Sequence, residues 1–295
     1  MQSKNKNIKT IDSETSKVGE SSRGPGGGRG NKFIDNSSIP VKRAPSLQMK
    51  ALANLSLSHT EFSVIMGGLL GDGSLKLYAG YKNARYSFRH STRQANYFYS
   101  KCSLLSTISS ANCIFEQPAD GFSKLPKLRY QSKALEPLTS IWAQTHKKNQ
   151  LVIRRRWLNH LTPLSLAIWW FDDGSIVGGG RQGCLCTDGF TEGECNILAR
   201  YLLVVWGVRA RVGPVRRSRG TVYFRLWLST NQLKSFLDII LPHLTHAEMV
   251  YKCIIHYKSN ALQQRWISHI LNKSPPHLRH DAVCIIEERC RGVRE

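Results

Sequence analysis

The sequence predicts an α+β protein made of two similar αββαββα halves, and three observations lead there. The stretches "SHTEFSVIMGGLLGDGSL" (58–75) and "LTPLSLAIWWFDDGS" (161–175) share one design, a capped apolar run closed by a carboxylate and a glycine. The strands and helices after each copy come in the same order, an internal repeat. The closing acids, Asp72 and Asp173, are 101 positions apart, room in each half for a motif helix, two hairpins and packing helices.

Each element has a local reason. Ser58 and Glu61 form a capping box for the first motif helix; Thr162 caps the second, with Pro163 at its first helical position. The first motif is followed by alternating "RYSFRHS", a capped helix "TRQANYFYSKCSLLSTI", strand-like "KLRYQSK" and an apolar helix around "LEPLTSIWAQ". The second is followed by "GCLCTDGF", the helix "TEGECNILARYLLVVW" with a capping box at Thr191 and Glu194, the strands "VRARVG" and "TVYFRLWLS", and the helix "NQLKSFLDIIL". The expected boundaries are a leader over 1–50, halves over 51–157 and 158–260, and an extension over 261–295.

The acids stand at the wrong end of their helices. A helix C-terminus carries partial negative charge and favours Lys or Arg. Each acid is followed by a glycine, Gly73 or Gly174, expected to leave the helix in a left-handed conformation. A divalent cation held between Asp72 and Asp173 compensates both charges, and oxygen ligands suit Mg2+ or Mn2+.

The net charge of +22 points to a polyanionic partner, nucleic acid before a membrane surface, because no basic amphipathic helix is present. No apolar run approaches the roughly 18 residues of a membrane span. Eight cysteines without a secretory signal are expected to be reduced thiols, and the His277, His280, Cys284, Cys290 spacing fits no common zinc pattern. Residues 1–50 are polar and of low complexity and carry +6, which leaves +16 on the rest. Deleting residues 1–50 is therefore expected to leave the melting temperature unchanged in a thermal scan; a truncated protein that fails to fold overturns this.

The motifs resemble a known family. "VIMGGLLGDG" and "LAIWWFDDG" resemble the two motifs of single-chain LAGLIDADG homing endonucleases, and the flanking "LTPLSLAIWWFDDGS", "TDGFT" and "MVYK" resemble the organellar-intron subgroup. The resemblance spans about residues 58–258 and implies a central pair of motif helices beneath two saddle-shaped antiparallel sheets that hold double-stranded DNA. It implies metal-dependent cleavage of both strands, with Asp72 and Asp173 as catalytic metal ligands and the backbone oxygens of Gly71 and Asp172 completing the coordination. It also implies one basic residue per half that organises water. The matches are Lys252, 79 positions after Asp173, and Lys148, 76 after Asp72, with Lys147 as the rival of Lys148. The implied protein is a monomer, encoded in an organellar intron, with a mitochondrion favoured over a chloroplast. The alternatives are an intron RNA-binding maturase on the same fold and a DNA-binding module without cleavage.

DNA contacts are expected from two hairpins. Arg209 and Arg211 alternate on one strand, Arg216, Arg217 and Arg219 lie in the turn, and Arg225 is on the return strand; Arg85, Arg89 and Arg93 form the first-half counterpart. Gly67 and Gly71 allow close approach of the motif helices, and Trp169 and Trp170 are read as core.

Overall fold

The computed structural model describes residues 57–119, 125–216 and 220–291. The expected leader over 1–50, and Arg217 and Arg219, lie outside the described residues. The first half runs α1 (His59–Leu70), β1 (Ser74–Lys76), β2 (Arg85–Ser91), α2 (Ala95–Ser103), β3 (Ile114–Gln117), β4 (Lys127–Gln131) and α3 (Glu136–Thr145). A short hairpin, β5 (His146–Lys147) and β6 (Gln150–Leu151), and the single turn α4 (Arg155–Leu158) follow. The second half repeats the order: α5 (Pro163–Asp173), β7 (Gly174–Val177), β8 (Gln182–Leu185), α6 (Glu192–Trp206), β9 (Arg211–Arg216), β10 (Val222–Leu228) and α7 (Thr230–Ile240). A 3-10 segment, Ala247–Cys253, then leads to α8 (Asn260–Lys273) and α9 (Arg279–Arg291). Among the described residues no helix is long and apolar enough to cross a membrane.

Both sheets are antiparallel and four-stranded, with the matching orders β1-β2-β4-β3 and β7-β8-β10-β9. Each motif helix feeds an edge strand, β1 or β7, so both acids lie where a helix meets its sheet. Period-2 alternation sets the faces of β2: Tyr86, Phe88 and His90 are buried while Arg85, Ser87 and Arg89 face outward.

The capping boxes form as expected. Ser58 accepts from the Glu61 N–H and Glu61 from the Ser58 N–H, and Thr191 and Glu194 do the same on α6. On α5 the reciprocal partner of Thr162 is Ser165. Leu166 through Phe171 are each 0% exposed, so α5 is apolar on every side because every side is covered.

α1 and α5 pack at close backbone approach. A Cβ on Gly67 would stand 2.2 Å from the Ser165 carbonyl oxygen, and one on Gly71 2.5 Å from the Asp172 Cβ. Thr162 and Ser165 donate their hydroxyls to the Ser63 hydroxyl and carbonyl, each at 2.9 Å, which satisfies buried polar groups across the same interface. Ser165 and Asp172 are therefore the α5 residues that meet the glycines.

Two local expectations change. The motif glycines are not left-handed exits: Gly174 is extended (φ −75°, ψ 147°), and Gly73 is absent from the positive-φ positions. They are small for lack of room, since a Cβ would stand 2.4 Å from the Tyr86 hydroxyl at Gly73 and 2.3 Å from the Trp170 ring at Gly174. The strand expected from Val208 begins only at Arg211. Gly207, at φ +69°, caps α6, and the Arg209 N–H is taken by the Gln232 side chain of α7 in place of a neighbouring strand.

The extension packs against the 247–253 segment. Trp266 Nε1 donates to the Cys253 carbonyl at 3.0 Å, and the Arg289 guanidinium lies 4.9 Å from the Tyr251 ring centre.

Candidate functional site

The packed ends of α1 and α5 gather three carboxylates into one place, and the environment of each differs. The Asp172 side chain is fully buried. Lys101 Nζ of α2 donates to its two oxygens at 2.8 and 2.6 Å, the Tyr97 hydroxyl donates at 2.9 Å, and the Asp72 backbone N–H reaches it at 3.3 Å. Burial alone would raise its pKa, but the charges of Lys101 and His90 and the hydrogen bonds outweigh burial and hold it below the ordinary carboxylate range. Asp172 is thus an ionised, neutralised strut from the second motif to the first half.

Asp72 and Asp173 have the opposite character. Burial, and then the charge of Asp172, push Asp72 up to about 6, although its side chain remains 39% exposed. Burial, and then the charges of Asp72 and Asp172, push Asp173 up to about 8. Among the described residues no hydrogen bond or ion pair reaches the Asp173 carboxylate. Among the described residues no lysine or arginine contacts either carboxylate, and the charge of Asp72 acts on Asp173, a burden that a divalent ion would offset.

Lys252, from the 247–253 segment, donates Nζ to the Phe171 carbonyl at 2.6 Å and the Asp172 carbonyl at 3.0 Å. It therefore serves the open carbonyls at the end of α5, where a cation also suits the helix dipole. Burial lowers its pKa against the pull of Asp172, Asp72 and Asp173. The Asp172 carbonyl expected at the metal thus accepts a hydrogen bond from Lys252. Gly71 caps α1 against Asp172, its N–H bonded to the Gly68 carbonyl at 2.9 Å.

In the first half the structure brings a different lysine to the acids. Lys148 and its rival Lys147 lie exposed on the β5–β6 hairpin, Lys148 in the turn at φ +50°, and among the described residues no hydrogen bond or ion pair joins either to the three acids. Lys101, on α2, is the lysine that reaches them. His90, inward on β2, also belongs here: Nδ1 is 3.4 Å from Asp72 Oδ2 and Nε2 is 3.7 Å from Asp172 Oδ1. Burial, and then the Lys101 charge, lower its pKa to about 4, against Asp172 and Gln94. Asp72, His90 and Asp172 form a group with the spacing of metal ligands.

The nominated arginines divide by face. Arg85 and Arg89 lie on the outward face of β2, and β4 adds Lys127 and Arg129, with Arg129 paired in register to Arg89 and its guanidinium 5.2 Å from the Phe115 ring centre. Arg93, in the turn before α2, is exposed. In the second half Arg209 precedes β9, whereas Arg211 faces Trp227 in register, and Arg211 and Arg216 are exposed. Arg225 is bound to Asp188, Nε to Oδ1 at 2.6 Å and Nη2 to Oδ2 at 2.7 Å, so a phosphate or base must compete for it.

Two halves joined through packed motif helices, with acids at their tips and basic outward sheet faces, define a two-motif α+β scaffold. The chain belongs to the LAGLIDADG DNA endonuclease family, whose family model matches residues 62–236. It is 30% identical over 202 residues to Protein RecA of Mycolicibacterium fallax, a match covering 64% of this chain and 45% of that protein. It is 25% identical over 232 residues to cytochrome b mRNA maturase bI2 of Saccharomyces cerevisiae, covering 75% of this chain and 52% of the relative. The chain spans about half the length of these two relatives. Its fold is that of the homing endonuclease I-WcaI bound to its DNA recognition sequence, with a TM-score of 0.60 at 18% identity over 72% of this chain and 94% of that one.

Proposed function

We propose that this chain is a site-specific homing endonuclease that hydrolyses both strands of a long asymmetric DNA target, with halves at 51–157 and 158–260, acting as a monomer. The observation that carries the reading is the pair Asp72 and Asp173, each raised in pKa by burial and like charge at the tip of a motif helix. Mg2+ or Mn2+ bound by these carboxylates would polarise the scissile phosphate and lower the pKa of water. Lys252 holds the α5 terminus in place and presents positive charge to both acids. Lys101 and Tyr97 fix Asp172, and through it the Asp72 backbone. The outward arginines hold the duplex so that its two strands meet the two acids.

A plasmid carrying the uninterrupted host allele is expected to be linearised with Mg2+ and left intact with EDTA; no cleavage of any allele by soluble protein overturns the reading. The maturase relative supports a second reading, binding of intron RNA by the same basic faces, and also favours an organellar intron as the coding site, a mitochondrial one first.

The basic hairpin gives a graded test. Arg216→Ala is expected to weaken binding to all duplexes alike and lower the salt slope by about 0.9. Arg211→Ala is expected to relax preference at a few base positions, with a loss of about 1–3 kcal/mol. Filter-binding titrations on duplex DNA and intron RNA check both: unchanged DNA affinity in both variants removes the hairpin from the interface, and losses on RNA alone favour the maturase reading.

A further inference from the structure

We propose that His90 is itself a metal ligand, so that with Asp72 it holds a divalent ion of borderline character, Co2+ or Zn2+, in preference to Mg2+. The inference deepens the nuclease reading and rests on it for the role of Asp72.

The ground is a row of three groups across one imidazole. Asp72 Oδ2 lies 3.4 Å from Nδ1 on one edge, and Asp172 Oδ1 lies 3.7 Å from Nε2 on the other. Two donors about 2.1 Å from one ion and about 90–110° apart stand roughly 3.0–3.4 Å from each other, so the first spacing is one that a shared ion fits. On the second edge Asp172 faces Nε2 from beyond hydrogen-bond reach, on the side from which a carboxylate orients a ligating histidine. Asp172 is fixed for that task by Lys101 and Tyr97.

A purely structural role accounts for less. His90 is 4% exposed, and Nε2 has no hydrogen-bond partner, a cost that an apolar residue at this inward position would avoid. Tyr86 and Phe88 fill the neighbouring inward positions of the same strand. The ring is also held in place, with Tyr97 and Phe88 at centroid distances of 5.2 and 5.6 Å, so Nδ1 stays turned to Asp72. Because the Lys101 ammonium already neutralises Asp172, the ion would meet one free carboxylate and one nitrogen. Imidazole suits Co2+ and Zn2+ better than Mg2+, which prefers oxygen.

The test uses the full chain without DNA. Co2+ binding is followed by visible absorption, whose bands report nitrogen ligation, and Mg2+ binding by calorimetry. His90→Gln is expected to weaken Co2+ about tenfold or more and change its spectrum, with Mg2+ affinity nearly constant. Unchanged Co2+ affinity and spectrum, or equal losses for both ions, overturns the proposal. Should the variant fail to fold, wild-type protein labelled with 15N at histidine decides: Zn2+ is expected to move the His90 Nδ1 resonance, and an unmoved resonance overturns the assignment. Cleavage enters neither measurement. A protein that cuts DNA with Mg2+ but binds Co2+ equally well without His90 loses this inference and keeps the nuclease reading, whereas His90-dependent Co2+ binding in a protein that cuts no DNA leaves the inference standing.

Discussion

Asp173→Asn is expected to lower double-strand cleavage by about a thousandfold or more and, in metal-free buffer at pH 8, to raise the melting temperature. The rate loss corresponds to about 4 kcal/mol of metal-dependent transition-state stabilisation. The gain in stability follows from linkage. Asp173 is raised to about 8 from an ordinary 3.8, so the folded protein holds a proton that the unfolded chain gives up. Its favourable contribution is fully present below about pH 4 and lost as pH rises through about 8. Asn stands in for the protonated acid and never meets that cost. A difference of roughly 2–4 °C, the shift made by about 1 kcal/mol in a domain of this size, is expected at pH 8 and should vanish near pH 4. Asp72→Asn, raised to about 6, should behave alike over a lower window. Calorimetry at several pH values and a plasmid assay check the two halves of the prediction. A variant that cuts at the wild-type rate, or melts lower than wild type at pH 8, contradicts it.

Lys101→Met is expected to destabilise the protein by about 3–5 kcal/mol, because it leaves the fully buried Asp172 carboxylate without its cation. Lys101→Met combined with Asp172→Asn should recover much of that loss, since neither charge then remains buried. The coupling energy from the four proteins, measured by urea unfolding, separates the ion pair from packing of the lysine stem against Phe88, whose ring centre lies 4.4 Å from Nζ. A single variant within about 1 kcal/mol of wild type would show that water or Tyr97 suffices.

The repeat of αββαββα units was legible because its signals are local. Capping residues announce helices three positions ahead, and alternation in "RYSFRHS" assigns each side chain to a face. Alternation also pointed His90 inward beside Tyr86 and Phe88, a sign that a histidine was to be buried. Lys101 gave no such sign. It lies within the apolar stretch "YFYSKCSLL", where helical spacing alone does not tell a buried ammonium from a solvated one, and its acid is 71 positions away. The 76-residue offset that suggests Lys148 falls on a two-strand hairpin in the first half, whereas the 3-10 segment carrying Lys252 follows α7 in the second. The motif glycines were recognised but given the wrong reason: the demand is for room beside Tyr86 and Trp170, which only tertiary packing defines.

The contact of Gly71 with Asp172 bears on how such a chain can be taken apart and rebuilt. A dimer of two second halves would bring two Asp172 carboxylates to one seam with Lys101 in neither subunit. A dimer of two first halves would face Gly71 with Gly71 and leave two Lys101 ammoniums with no acid to share. Lock and key are thus divided between the halves, and a half paired with its own copy would lack one of them. Any chimera that borrows the second half from this protein must also borrow Lys101, Tyr97 and His90, or return position 172 to a small neutral residue, before its new half-site specificity can be judged.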